Sequence, residues 1–146
     1  MVTETLKIAL RLSGTYWRRQ PEYVVCVDGV EKSSALVETP SGESFNLEFD
    51  VNVEEDVDHI LTVSLVNKMD VDTVQNEDKT VILKDMILNI ESLEIDDISV
   101  GELLWKNSEY HMDDGDYMAE CINLGKNGTW SFKFSSPFYI WLLENM

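Results

Sequence analysis

The sequence predicts an all-β protein, an antiparallel β-sandwich of jelly-roll-like form with eight or nine short strands. Apolar residues recur at every second position in several segments, most clearly in residues 45–53. A period of two places these side chains on one face of an extended strand. Turn signals separate the segments at roughly the eight to twelve residues that sandwiches show, and β-branched residues are abundant. No helix is expected.

The first half of the chain contains five predicted strands. Asp28-Gly29 is a two-residue hairpin signal between the second and third, because glycine tolerates the positive φ of a tight turn. Pro40 and Gly42 interrupt the chain before the fourth strand, which alternates most regularly. The predicted strands cover residues 3–13, 22–27, 30–37, 44–53 and 59–66.

The second half begins with a polar loop over residues 67–79, and strand-like patterning resumes over residues 80–100. Asn127-Gly128 is a second hairpin signal, placed before the alternating aromatic residues of the last predicted strand. Trp105 and Trp130 are expected in the core. The terminal residues 138–143 are apolar almost throughout, so this chain's own core or another chain must cover them.

Composition fits a single sandwich domain over residues 1–146, with an apolar C-terminal segment at 137–146. Twenty-eight acidic against 11 basic residues give a formal net charge of -17, which disfavours a nucleic-acid partner. No apolar run approaches the roughly 20 residues of a membrane span. The N-terminus lacks signal-peptide features, which predicts synthesis in a cytosol. The basic residues Lys7, Arg11, Arg18 and Arg19 could meet an acidic neighbouring subunit or form a solvated face.

The polar loop is the best candidate for a metal site. Calcium takes six to eight oxygen ligands, and carboxylates, amide oxygens and backbone carbonyls in a loop can supply them. The candidate ligands are Asn67, Asp70, Asp72, Asp78 and Asp85. Their spacing does not match an EF-hand. A solvated acidic loop without metal is the alternative.

The sequence offers weaker signals for sugar binding, for a second cation site and for catalysis. Tyr16 and Trp17 lie in a predicted loop, where an aromatic ring can stack on the C–H face of a sugar. Asp113, Asp114 and Asp116 form a second acidic cluster, interpreted as a turn with solvated carboxylates or as another cation site. No catalytic constellation stands out, so the prediction is a non-enzymatic protein.

The order of features resembles the small calcium-dependent xylan-binding modules, β-sandwich domains attached to glycoside hydrolases. The matching positions are the alternating strand at residues 6–12, the turn at residues 27–29, the strand at 61–67 ending in Asn67, and Asp85 before Leu88. The likeness covers about residues 5–101. It implies a β-sandwich, calcium in the loop that opens at Asn67 and closes at Asp85, and binding of a surface glycan.

A second resemblance concerns the C-terminal end. Residues 125–145 look like the C-termini of small proteins of tailed bacteriophages, particularly those of marine cyanobacteria. This likeness implies a virion protein, made in the host cytoplasm, that decorates a head or forms part of a tail or fibre. Other virion subunits, or a second copy of the chain, would then contact the terminal segment. The predicted interface residues are Phe138, Tyr139, Trp141 and Leu142.

Overall fold

The computed structural model describes residues 2–146 and contains two antiparallel sheets packed on one another as a sandwich. One sheet has the strand order β12-β8-β1-β4, with β9 pairing on β8, and the other has the order β11-β10-β13-β5-β2-β3. The short strands β6 and β7 form a separate hairpin. The chain passes between the sheets at most connections, and the all-β sandwich predicted from the sequence is confirmed.

Residues 2–146 form thirteen strands, of which eight are five residues or longer. The strands are β1 (Thr3–Thr15), β2 (Glu22–Val27), β3 (Val30–Leu36), β4 (Ser44–Glu54), β5 (Asp58–Leu65), β6 (Val74–Gln75), β7 (Ile82–Lys84), β8 (Ile87–Ile95), β9 (Ile98–Ser99), β10 (Ser108–Met112), β11 (Tyr117–Ala119), β12 (Asn123–Leu124) and β13 (Gly128–Ser135). Asp28 and Gly29 both have positive φ in the β2–β3 turn, as their sequence predicts.

The core lies between the inner faces of the two sheets. Alternation in β1 buries Leu6, Ile8, Leu10 and Leu12 completely, and β13 contributes Trp130 with its neighbouring aromatic residues from the facing sheet. Strand β3 lies at a sheet edge and buries no side chain. Burial on one face of each inner strand therefore fixes the register, because a slip of one residue would turn every apolar side chain outward.

The expectation of a helix-free chain is wrong. Helix α1 (Leu103–Lys106) and helix α2 (Phe138–Asn145) lie within the segments predicted as aromatic and apolar. In α2, Phe138 and Leu142 are four residues apart, so they share one helical face and pack into the core. Trp105 lies on α1 and is 46% exposed, against the expectation of burial, whereas Trp130 is fully buried. No helix among residues 2–146 is long and apolar enough to cross a membrane.

Candidate functional site: a polar cleft at one end of the sandwich

One end of the sandwich collects the loops that carry most of the predicted site residues. Strands β1, β5 and β10 end here, and β2, β8 and β13 begin here, because antiparallel pairing aligns Thr15 with Ile87 and Leu65 with Gly128. Between β5 and β8 lies the longest connection, residues 66–86, which we call the long loop. It contains a 3-10 helix at Asp70–Asp72 and the β6–β7 hairpin.

Two arginines neutralise Asp72 of the long loop. Its carboxylate is 1% exposed and accepts hydrogen bonds from Arg18 Nη1 at 3.1 Å, Arg19 Nη2 at 3.0 Å and the Met69 amide at 2.8 Å. Burial opposes ionisation, but these hydrogen bonds outweigh it and lower the pKa of Asp72. The Asn67 carbonyl accepts a further bond from Arg19 Nη2. The arginines therefore anchor the long loop to the β1–β2 loop.

The basic residues singled out in the sequence have acidic partners within the chain. Arg18 and Arg19 pair with Asp72 of their own chain, Lys7 lies 3.2 Å from Asp97, and Arg11 lies 3.7 Å from Glu91. These side chains are also one third to about one half exposed, so they form ion pairs on a partly solvated surface. An acidic partner subunit stays a prediction.

Lys68 neutralises Asp85, a partly buried carboxylate of the long loop. Its Nζ lies 2.6 Å from Asp85 Oδ1 and donates to the Gly125 carbonyl, and the Lys68 and Asp85 side chains are only 11% and 15% exposed. Asp85 Oδ1 accepts further hydrogen bonds from Thr73 Oγ1 at 2.7 Å and the Met86 amide at 2.9 Å. Burial opposes ionisation of Asp85, but these donors outweigh it and lower its pKa.

A cleft of about 740 Å³ opens beside the Lys68–Asp85 pair. The long loop forms one wall, and the turns at residues 113–114 and 125–127 form the other. The cleft therefore lies between the two acidic segments, which are far apart in the sequence. Its lining consists of Lys68, Met69, Asp70, Thr73, Gln75, Ile82, Asp85, Asp113, Asp114, Gly125, Lys126 and Asn127.

The buried Tyr110 holds in place the second wall of the cleft, formed by the turns at residues 113–114 and 125–127. The hydroxyl of the buried Tyr110 donates to the Lys126 carbonyl and accepts from the Lys126 amide at 3.1 Å. Burial raises the pKa of Tyr110 to about 12, so the phenol stays protonated in neutral solution. Lys126 Nζ lies 3.0 Å from Asp114 Oδ2 and 2.9 Å from Asp116 Oδ2. The segment 113–116 is therefore a turn in which Lys126 bridges two of the three carboxylates, those of Asp114 and Asp116.

The predicted sugar-stacking residues lie outside the cleft. Tyr16 is half-buried against the core, and its hydroxyl donates to the Thr39 carbonyl at 2.8 Å. Trp17 is 43% exposed, but its Nε1 donates to the Asp72 carbonyl at 2.9 Å and Lys84 Nζ lies 4.7 Å from the ring centroid. The Trp17 ring thus packs against the back of the long loop. Sugar binding at these two residues stays a prediction.

The predicted calcium ligands lie in different surroundings. Asn67 uses its side chain on the Glu22 amide and the Gln20 carbonyl, whereas Asp70 lines the cleft. Asp78 lies at the tip of the β6–β7 hairpin, where it accepts hydrogen bonds from Thr80. No three His, Cys, Asp or Glu residues within 2–146 form a group that could hold a metal ion. Because arginines already occupy the Asp72 carboxylate and a lysine occupies the Asp85 carboxylate, the residues do not fit calcium.

The predicted interface residues separate into two groups. Phe138 and Leu142 are buried in the core of their own chain, and Trp141 packs edge-on against Phe132 with ring centroids 5.8 Å apart. Tyr139 points outward and is 61% exposed. Contact with a partner through Phe138 or Leu142 would need the helix to leave the sandwich. An intersubunit contact through Tyr139 stays a prediction.

Sequence reasoning missed two lysines of the cleft. Lys68 pairs with Asp85, and Lys126 pairs with Asp114. The one signal for Lys68 was a basic residue directly after Asn67 in an otherwise acidic stretch. No periodicity or motif spacing indicates that residues 68, 85 and 125 meet, because that depends on how the sheets stack.

The fold is a β-sandwich similar to that of two solved structures of vCBM60. The chain is similar to vCBM60 in complex with galactobiose, with 12% sequence identity, a TM-score of 0.52, and coverage of 86% of this chain and 96% of that chain. It is also similar to a selenomethionine form of vCBM60, whose family of calcium-dependent carbohydrate-binding modules is linked to another by circular permutation. That match has 12% identity and a TM-score of 0.53, and covers 87% of this chain and 89% of that chain.

At this level of identity the likeness establishes the fold alone. No protein-family model matches the sequence, and no curated protein matches it. The resemblance of the C-terminal segment to bacteriophage virion proteins finds no support in these comparisons.

Proposed function

We propose that this protein is a non-catalytic carbohydrate-binding module that holds a glycan in the cleft between the long loop and residues 113–127. The observation that carries the proposal is the cleft itself, a concave site with mixed apolar and polar lining on a sandwich shared with carbohydrate-binding modules. Met69 and Ile82 line it and are each more than half exposed, so they offer apolar surface to the C–H face of a sugar.

The charges of the cleft favour a neutral glycan. Lys68 pairs with Asp85 and Lys126 pairs with Asp114, whereas Asp70 and Asp113 have no ion pair among residues 2–146. Two unpaired carboxylates accept hydrogen bonds from sugar hydroxyl groups and repel a uronic acid or a sulfated sugar. The net charge of -17 adds a longer-range repulsion of acidic polymers.

Isothermal titration with a panel of neutral and acidic oligosaccharides tests this function, and galactobiose, which vCBM60 binds, is one suitable probe. The expected result is saturable binding of a neutral glycan and none of polygalacturonate. Replacing Asp70 and Asp113 together by alanine should weaken binding at least about tenfold, since one hydrogen bond to a charged group contributes roughly 1.5–3 kcal/mol.

Asp50→Ala is the matched control, because Asp50 is an exposed aspartate on β4 outside the cleft. It should bind like the unaltered chain. The proposal is wrong if no neutral glycan in the panel binds at millimolar concentration, or if the control weakens binding as much as the cleft variant.

A role in assembly is the second candidate, and one observation favours it. Tyr139, Ile140 and Leu143 are 61%, 52% and 57% exposed. Tyr139 and Ile140 lie four and three residues before Leu143, so the three side chains form one apolar stripe on α2. Replacing all three by serine should reduce any self-association seen by light scattering, without lowering the melting temperature. A virion role and virion localisation stay predictions that rest on the sequence resemblance.

A further inference from the structure

We propose that Lys68 is a built-in cation that closes the long loop in place of calcium, so that the cleft forms and holds its ligand without added metal. The glycan part of this inference rests on the proposed function, whereas the closure of the loop does not. The inference begins from Lys68, whose ammonium group contacts Asp85 and Gly125 while its side chain is 11% exposed.

Lys68 joins segments that are far apart in the sequence. Asp85 is 17 residues further along the chain, and Gly125 is 57 residues further along. The Lys68 backbone is held as well, because Asn127 accepts from its amide at 2.8 Å and donates to its carbonyl at 2.9 Å. A bound metal ion joins loops in the same way, by drawing oxygen atoms of several segments onto one positive charge.

The two least exposed carboxylates among the predicted calcium ligands, Asp72 and Asp85, already have cationic partners. Asp85 receives Lys68, Thr73 and the Met86 amide, and Asp72 receives two arginines. A calcium ion at either carboxylate would have to displace a cationic side chain or lie within a few ångströms of it. Like charges repel strongly at such separations in a partly buried site. The structure therefore favours internal ion pairs over a metal.

A melting experiment without glycan tests the closure of the loop directly. The unaltered protein should melt at the same temperature in EDTA and in millimolar calcium. A native-state ligand present well above its Kd would instead raise the melting temperature by several degrees. A calcium-dependent rise that EDTA reverses would overturn the proposal.

Variants then test the role of Lys68. Lys68→Met keeps the unbranched stem but removes the charge, so it should lower the melting temperature in EDTA and in calcium alike. Lys79→Met is the matched control, because Lys79 is an exposed lysine of the same loop that makes no ion pair within 2–146. Equal melting temperatures for the two variants would refute the built-in cation. If Lys68→Met does not fold, Asp85→Asn removes the same ion pair and should show the same loss.

Glycan titrations in EDTA separate the two proposals. Binding should be unchanged by EDTA in the unaltered chain and at least tenfold weaker in Lys68→Met, with no recovery in calcium. Binding that disappears in EDTA and returns with calcium would overturn the inference. If no glycan binds under either condition, the proposed function fails, together with the ligand part of this inference, whereas the melting data still decide how the loop is closed.

Discussion

The imidazole of His59 lies 2.6 Å from the carboxylate of Asp28, measured from Nδ1 to Oδ2, at the end of the sandwich opposite the cleft. Its other ring nitrogen, Nε2, lies 2.7 Å from the Glu54 carbonyl oxygen. Both neighbours are acceptors, so both ring nitrogens are satisfied when each carries a proton. His59 is 6% exposed. The geometry therefore suits a protonated, nearly buried imidazole between a turn carboxylate and a backbone carbonyl.

This pair predicts that stability falls as the pH rises. Burial opposes the charged form, but the Glu54 carbonyl and the Asp28 carboxylate outweigh it and raise the pKa of His59. A raised folded-state pKa stabilises the protein fully below the unfolded value of about 6.5, and that contribution is lost as the pH rises through the folded value. Melting temperatures should therefore decline from about pH 6.5 upward.

The chain has two histidines, which makes a control simple. His59→Gln should be less stable than the unaltered chain below pH 6.5, and its melting temperature should change little between pH 6 and pH 9. His111 is exposed, with 62% of its side chain accessible, so His111→Gln should keep the original decline. A decline that survives in His59→Gln would show that another group controls it.

Asp72 provides the second prediction, which concerns the stability of the long loop. Asp72→Asn keeps the side-chain shape but weakens the bonds from Arg18, Arg19 and the Met69 amide. The expected cost is about 2 kcal/mol, below the roughly 3–5 kcal/mol of a fully buried broken pair, because both arginines still reach solvent. Urea unfolding measures this difference.

Asp70→Asn is the control for Asp72→Asn, since Asp70 is exposed in the same 3-10 helix. Its free energy of unfolding should stay within about 0.5 kcal/mol of the unaltered value. Equal effects of the two variants would mean that the arginine contacts contribute nothing measurable.

The alternating apolar residues allowed most of the fold to be predicted, because burial on one face of β1 and β5 leaves a period of two in the sequence. The long loop was also recognised by its polarity. Its ion pairs were not, because the partners of Asp72 and Asp85 come from segments whose proximity depends on the stacking of the sheets. Helix α2 was not predicted, because exposed apolar residues beside Phe138 and Leu142 mask its helical period in the sequence.

The Asn127-Gly128 pair resembles a hairpin turn in the sequence, but the glycine has a different role in the structure. The sequence predicts a hairpin there, but β12 pairs with β8 in one sheet and β13 pairs with β5 and β10 in the other. Neither residue has the positive φ that a tight hairpin turn requires. A Cβ atom on Gly128 would lie 2.5 Å from the His111 carbonyl oxygen and 2.7 Å from Met112 Cα. The glycine is needed for close approach to β10.

The third prediction follows from this close approach. Gly128→Ala places its methyl group against backbone that pairs with β13, so the clash can be relieved only by separating β10 from β13. We expect Gly128→Ala to lower the free energy of unfolding by about 1–3 kcal/mol, the typical range for overpacked sites. Gly125→Ala is the matched control, since nothing lies within 4 Å of its added Cβ. Thermal melting of both variants tests this prediction. Equal melting temperatures for Gly128→Ala and Gly125→Ala would exclude the steric explanation.

Glu4 of β1 supports the last prediction, because its carboxylate caps helix α2. Glu4 Oε1 accepts hydrogen bonds from the Phe138 amide at 2.8 Å and from Ser136 Oγ at 2.6 Å. Pro137 precedes the helix and has no side-chain oxygen, so a residue from the opposite end of the chain supplies the acceptor that the first helical N–H needs. A negative charge also suits a helix N-terminus.

Glu4→Ala should therefore destabilise the protein by about 1 kcal/mol and speed hydrogen exchange in residues 138–145 more than elsewhere. Glu4→Gln, which keeps an acceptor but loses the charge, should fall between Glu4→Ala and the unaltered chain. Glu31→Ala on the exposed edge strand β3 controls for the loss of one negative charge. If Glu4→Ala does not speed exchange in residues 138–145 more than elsewhere, packing of Phe138 and Leu142 alone keeps α2 on the sandwich. That packing would then also set the orientation of its apolar stripe.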